Sequence, residues 1–262
     1  MTITDFSNHH VHCKISAVIF DLDGTILDTE VATRSVLKDF LASYGKVLIT
    51  DKEHARVGKT QKESAIAIVQ NYELPLTPDQ FIAEIIPIYR AKWKDAKALP
   101  GANRLLQHLH KHQIPIALAS NSVQEYIDAK ISYQKGWKDL FYVILGSDEV
   151  TSGKPSPDLF LEAAKRMSVD PCNCLVIEDS LIGVQAAKAA GMEVVVVPSQ
   201  YEADAVALAD SALSSLADFL PEFWGLPSFE VSNLMINGLN DALPVNPICL
   251  EGKLVDALLT EV

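Results

Sequence analysis

The chain has 262 residues, 48% of them apolar and 21% charged, a composition that excludes global disorder and allows one large domain or two smaller ones. Its formal charge is −12, which argues against a nucleic-acid binder, whose footprint would be basic. The same excess means that an anionic substrate needs local Lys, Arg or metal charge to hold it against the overall field.

Residues 1–14 read as a flexible leader. They contain no apolar core and no Arg-rich character, so no signal or transit peptide is expected. No run reaches membrane-spanning length. His9, His10 and His12 cluster in this leader, where an untethered tail is the default reading over a metal site. Cys13, Cys172, Cys174 and Cys249 are too few and too scattered for a disulfide scaffold. Cys172-x-Cys174 has no second ligand pair, which argues against zinc. The expectation is a reducing compartment and a cytoplasmic protein without membrane or nucleic-acid partners.

The first strand is predicted at about residues 15–20. Val18, Ile19 and Phe20 form an apolar, partly β-branched run suited to burial on both faces. It leads directly into Asp21-Leu22-Asp23-Gly24-Thr25, where Gly24 lets the backbone turn. Asp21 and Asp23 therefore fall at the carboxyl end of a parallel-type strand, where open α/β sheets bind their ligands. A single Asp there would read as turn chemistry.

From Asp28 to Ala98 helical spacing dominates. Val31, Val36, Leu37, Phe40, Leu41 and Tyr44 form one apolar face, and Gly45 is placed to end it. Ser64 to Val69 is helical. Thr77-Pro78-Asp79-Gln80 is a helix-start signature. The helix it opens includes Phe81, Ile82, Ile85, Ile86, Tyr89 and Trp93, and Pro87 is expected to bend or break it. This block reads as a helical insertion, residues 28–98.

Beyond Leu99-Pro100-Gly101 strands and helices alternate. A helix carries Leu105, Leu106 and Leu109, with His108, His110 and His112 near its end as solvated or dipole-favoured residues. Predicted strands at 114–119, 141–145, 174–177 and 194–197 alternate with helices at 157–167 and 180–190, and a last short helix spans 213–219. Such βαβ units mean a Rossmann-like, doubly wound parallel α/β sheet. The core then comprises residues 15–27 and 99–227 with the all-helical segment inserted. Residues 228–262 form a weakly patterned tail.

Four strand ends carry polar groups: Asp21 with Asp23, Ser120 with Asn121, Lys154 in Gly-Lys-Pro, and Glu178 with Asp179. Singly, each is a turn, a solvated loop or a helix cap. Their shared placement after apolar runs brings them to one edge of one sheet. Clustered carboxylates suit Mg²⁺. A carboxylate can act as a nucleophile on phosphorus, a second can move protons, and a hydroxyl, amide donors and one Lys can hold a phosphoryl group.

These residues resemble the haloacid dehalogenase superfamily, specifically its phosphatases with a helical cap after the first strand. Phe20-Asp21-Leu22-Asp23-Gly24-Thr25, Ser120, Lys154 in Gly-Lys-Pro-Ser-Pro-Asp, and Glu178-Asp179-Ser180 with Gly183 match the four family motifs in order. The resemblance implies Asp21 as nucleophile, Asp23 as general acid/base, and Ser120 and Lys154 as phosphoryl-binding groups. It implies Mg²⁺ held by Asp21, the backbone carbonyl of Asp23, and Asp179, with Glu178 nearby. Asn121, Gly24 and Lys59, the last from the inserted segment, become candidate substrate contacts. Gly58-Lys59-Thr60 is not a P-loop, since Glu53 stands where that pattern needs Gly.

Leu99-Pro100-Gly101-Ala102-Asn103-Arg104-Leu105 and Trp224-Gly225-Leu226-Pro227-Ser228-Phe229 are similar to a plant-type subgroup. That subgroup contains glycerol-3-phosphatases and the FMN hydrolase half of bifunctional riboflavin kinase/FMN hydrolases. The segment 120–149 is nearer the FMN hydrolase branch. The resemblance thus implies hydrolysis of a small phosphorylated metabolite, FMN first and glycerol-3-phosphate or another polyol or sugar phosphate second. A phosphomutase shares the motifs. A dehalogenase would have no use for Asp23. A non-catalytic binding module is the remaining alternative, against which the intact motif set speaks. The oligomeric state is not legible.

Overall fold

In the computed structural model, residues 14–49, 60–198 and 203–230 are described. Lys59, the leader histidines and the tail beyond residue 230 lie outside them. The first strand, β1 (Ala17–Phe20), is followed among the described residues by the helices α1 (Thr29–Ser43), α2 (Gln61–Asn71) and α3 (Pro78–Trp93). Then come α4 (Ala102–Lys111), β2 (Ile116–Ala119), α5 (Gln124–Ser132), β3 (Val143–Leu145) and α6 (Asp158–Met167). The described chain closes with β4 (Cys174–Glu178), α7 (Leu181–Ala189), β5 (Glu193–Val196), α8 (Ala203–Leu208) and β6 (Ser211–Ala212).

The strands form one parallel sheet in the order β3-β2-β1-β4-β5-β6. Its order reverses between β1 and β4, which opens a crevice at their carboxyl ends. The apolar content of β1 has a direct cause. Val18 and Phe20 point into one core layer with Leu105, Leu106 and Ile127. Ala17 and Ile19 point into the other, with Leu159, Phe160 and Val184. A central strand covered by helices on both faces has no solvent side and needs no polar alternation.

Helices α1, α2 and α3 gather around a separate core that includes Leu37, Phe40, Leu41, Ile68, Phe81 and Ile85. Their starts follow the sequence signals. Thr60 with Glu63, and Thr77 with Gln80, form reciprocal capping boxes, and the Asp28 side chain accepts from the Val31 amide. The two chain crossings into this unit run side by side. The Asp28 amide donates to Lys97 O at 2.8 Å and the Leu99 amide to Ile26 O at 3.0 Å.

Four readings need correction. The break offered for Pro87 does not occur, since helix α3 continues through it. Pro87 and Ala83, whose carbonyl loses its partner, are both exposed, so water satisfies the orphaned group. His108 is buried, not solvated: its Nε2 donates to Pro227 O at 2.7 Å and its ring lies 4.6 Å from that of Phe229. The segment predicted as a last helix is a short 3-10 turn, Leu216–Asp218, preceded by β6. Helices α5 and α8 were not anticipated. Cys174 is a free buried thiol, and Cys172 is disulfide-bonded, which the low cysteine count does not anticipate. Among the described residues no helix is long and apolar enough to cross a membrane.

Candidate active site

The sheet register places the motif residues. Phe20 pairs with both Leu118 and Ile177, so Asp21, Ala119 and Glu178 come level at the carboxyl edge of the sheet. Backbone bonds extend past the strands: the Asp21 amide donates to Ile177 O at 3.0 Å and the Ser120 amide to Leu145 O at 3.1 Å. Gly24 has φ +84, and a side chain there would collide with the Asp179 carboxylate. Its absence of a side chain brings the turn after Asp23 onto the end of β4. Gly183 is required for a similar reason, since a Cβ there would collide with the Glu178 carboxylate.

Asp21, Ser120, Asn121, Lys154, Glu178 and Asp179 are all buried and close together at this edge. Lys154 Nζ donates to Asp21 Oδ1 at 2.7 Å and to Glu178 Oε1 at 2.6 Å. Asn121 holds the lysine's loop: it accepts from the Lys154 amide at 2.8 Å and donates to the Lys154 carbonyl at 3.1 Å. The other Glu178 oxygen accepts from the Asp179 amide, the Ser180 amide and the Ser180 hydroxyl. Thr25 Oγ1 stands 3.3 Å from both Asp21 Oδ2 and Asp179 Oδ1.

The electrostatics follow from burial. Burial pushes the Asp21 carboxyl up to about 7, with Lys154 pulling it back and Glu178 adding to the rise. Burial disfavours the Lys154 ammonium, but Asp21 and Glu178 outweigh it and raise its pKa. Asp21, Glu178 and Asp179 offer carboxylate oxygens within 4.8 Å of one another, against the single ammonium of Lys154. With all groups ionised, the cluster carries an excess of two negative charges on buried groups. An oxygen-only donor set with that excess fits a hard divalent cation.

Asp23 stands apart from this cluster in its partners. Thr29 Oγ1 donates to its Oδ1 at 2.7 Å, while Ser122 Oγ at 3.0 Å and Lys130 Nζ at 2.6 Å donate to Oδ2. Burial opposes ionisation of Asp23, yet the Lys130 charge and these hydrogen bonds hold its carboxyl below the usual range. Lys130, Thr29, Ser122 and Thr25 were missed in the sequence reading. Lys130 had a signal: with Ile127 and Ile131 it occupies the buried face of α5, at spacings of three and one. A lysine at an apolar-period position needs a buried partner.

The strand ends form the floor of a cavity of about 240 Å³. The helical unit forms its wall. Glu30, Thr33, Gln61 and Ser64 supply polar groups, while Ile68, Ile82, Ile86, Tyr89 and Trp93 supply an apolar and aromatic surface. Gly24 is not part of the lining.

The sequence matches the haloacid dehalogenase-like hydrolase family over residues 18–197. It is 46% identical over 241 residues to a bifunctional riboflavin kinase/FMN phosphatase of Arabidopsis thaliana, across 92% of this chain and 62% of that protein. The chain therefore spans less than two thirds of that relative. It is 38% identical over 241 residues to (DL)-glycerol-3-phosphatase 1, mitochondrial, of the same plant, across 89% of this chain and 80% of that one. Among solved structures, CbbY from Rhodobacter sphaeroides in complex with phosphate superposes with TM-score 0.67 at 27% identity, covering 78% of this chain and 96% of that one. The β-phosphoglucomutase of Clostridium difficile gives 0.69 at 26% identity, covering 80% and 95%.

Proposed function

The chain belongs to the haloacid dehalogenase-like hydrolases and is a phosphoric monoester hydrolase, and from that premise we propose that it cleaves FMN to riboflavin and phosphate. In this reading residues 28–98 act as a cap over a core of residues 15–27 and 99–227. The Asp21 carboxylate attacks phosphorus and forms an aspartyl-phosphate, while Asp23, which is ionised in the empty site and takes up a proton from solvent or a substrate monoanion on binding, passes that proton to the leaving oxygen. Asp23 then accepts a proton from the water that cleaves the aspartyl-phosphate. Ser120, Asn121 and Lys154 face the transferring group. Lys154 is already locked in place, so it stabilises developing charge without reorganising. The Asp21 and Asp179 carboxylates and the Asp23 backbone carbonyl would hold Mg²⁺, with Glu178 beside them. When bound, Mg²⁺ supplies the charge that shields the phosphoryl oxygens from the nucleophile.

The observation that carries the substrate choice is the apolar wall of Ile68, Ile82, Ile86, Tyr89 and Trp93 facing the carboxylate floor. An aromatic ring system gains about 25 cal/mol for each Å² buried against such a wall. A glycerol leaving group is too short to cover that apolar surface and gains nothing from it. The likeness to a glycerol-3-phosphatase and the polar Glu30, Thr33, Gln61 and Ser64 favour the second reading, a polyol phosphatase. A mutase shares the aspartyl-phosphate but returns the phosphoryl group to a sugar, so free phosphate separates it from either hydrolase.

A phosphate-release screen of FMN, glycerol-3-phosphate and sugar phosphates tests the assignment. FMN should give the highest kcat/KM, EDTA should abolish turnover, and Asp21→Asn should be folded and silent. Turnover of a polyol phosphate without FMN overturns the flavin reading.

A further inference from the structure

The proposed chemistry leaves one buried cation of the cavity wall without a task. Lys130 is 6% exposed and projects from α5, a helix of the sheet core. Its Nζ donates to Asp23 Oδ2 at 2.6 Å and to Ser122 Oγ at 2.9 Å. The same Nζ lies 5.3 Å from the centroid of the Trp93 ring, at the end of α3. Lys130 thus touches the carboxylate proposed to move protons, and the helical wall proposed to seat the leaving group.

Asp23 follows the end of a strand at a turn, and its side chain has two free torsions. Proton transfer to a leaving oxygen needs a fixed separation and direction, and a carboxylate that swings loses most of the benefit. Thr29 fixes one oxygen, and the Lys130–Ser122 pair fixes the other. We propose that Lys130 is a positioning residue for leaving-group protonation, holding the Asp23 carboxylate on the side of the cavity that faces Trp93. This rests on the acid/base role proposed for Asp23. The competing account is purely structural: Lys130 compensates a buried charge and nothing more.

Two aryl phosphates of similar size separate the accounts. Phenyl phosphate has a poor leaving group that needs a proton, and p-nitrophenyl phosphate has a good one that does not. The readout is kcat/KM, which reports steps up to the first phosphoryl transfer. Asp23→Asn should lower the phenyl value about 100-fold more than the p-nitrophenyl value. Lys130→Met, which keeps an unbranched stem of similar length without the charge, should show the same bias at about tenfold. Combined with Asp23→Asn, it should add no further bias. Equal loss on both substrates in Lys130→Met, or an added bias in the double variant, overturns the proposal. If Asp23→Asn is selective and Lys130→Met is not, only the lysine's role falls. If Asp23→Asn itself is unselective, the acid/base reading falls as well. Should Lys130→Met fail to fold by circular dichroism, Ser122→Ala removes the hydroxyl that bridges the pair. It should give the same bias at smaller size, and equal loss there overturns the proposal in the same way.

Discussion

The floor of the cavity and its helical wall face the same space, but their side chains are held differently. On the floor, Asp21 is 7% exposed, Lys154 2% and Glu178 1%, and every one of these charged groups has a partner on another element or loop. On the wall, Thr33, Gln61, Ile82, Ile86 and Tyr89 are half-buried, and the aliphatic side chains of Ile82 and Ile86 have no polar group to fix their direction. A buried network in low dielectric allows few substitutions, because a lost partner leaves a charge that water cannot reach. A half-buried apolar surface allows many, and each changes what fits against it. The floor is therefore suited to fix the reaction and the wall to select the leaving group.

The sharpest way to break this contrast is Lys154→Met. It strands the Asp21 and Glu178 carboxylates that the ammonium now joins. Loss of one partner from a buried ion pair costs roughly 3–5 kcal/mol. The urea midpoint of the variant should drop accordingly, together with its phosphate release. A variant with native stability would mean that water reaches the floor freely, and the contrast would lose its basis.

The difference also explains what could be read from the sequence. Asp21, Ser120 and Asp179 each follow an apolar run, and the end of a parallel strand is a place that a linear pattern specifies, whereas Lys154 lies not at a strand end but in the loop well beyond β3, which ends at Leu145. The two-faced burial of β1 and the capping boxes at Thr60 and Thr77 were legible for the same local reason. The partners of Asp23 were not. Lys130 is 107 residues away from it and Ser122 is 99, and their meeting depends on how α5 and the turn before it come to lie against the end of β1 in three dimensions. His108 was misread because its partner, the Pro227 carbonyl, is 119 residues distant. Pro87 does not break its helix because a proline on the exposed side of an amphipathic helix leaves only a solvated carbonyl behind. The wall itself has no motif. Its members are spread over three helices at ordinary apolar spacings, which look alike whether they face a core or a cavity.

Ile86→Ser sharpens the comparison at intermediate size. Ile86 is half-buried and lines the cavity. Removing part of an apolar contact with a bound ring costs roughly 1 kcal/mol, or about fivefold in kcat/KM for FMN. Glycerol-3-phosphate, which would not reach that surface, should lose less than about twofold. Equal losses on both substrates would make Ile86 a structural residue of the helical core.

Arg90→Ala should have the smallest effect, and the reason separates it from Lys154. Arg90 on α3 pairs with Glu125 on α5, joining the helical unit to the sheet core at a distance comparable to that of the Lys154 pairs. The side chains, however, are 43% and 68% exposed. Water solvates both partners when they part, salt screens them when they meet, and ordering two long side chains opposes the contact. Glu125 raises the Arg90 pKa, but in a group this exposed that shift carries little stability. The variant should keep the wild-type urea midpoint at physiological salt and change kcat/KM by less than about twofold. Arg90 also lies 6.0 Å from the Trp93 ring and 5.8 Å from that of Tyr126, both of which line the cavity. A larger kinetic effect with an unchanged midpoint would therefore locate the function of the pair in the placement of those two rings, and would extend the selecting surface from the wall to its outer edge.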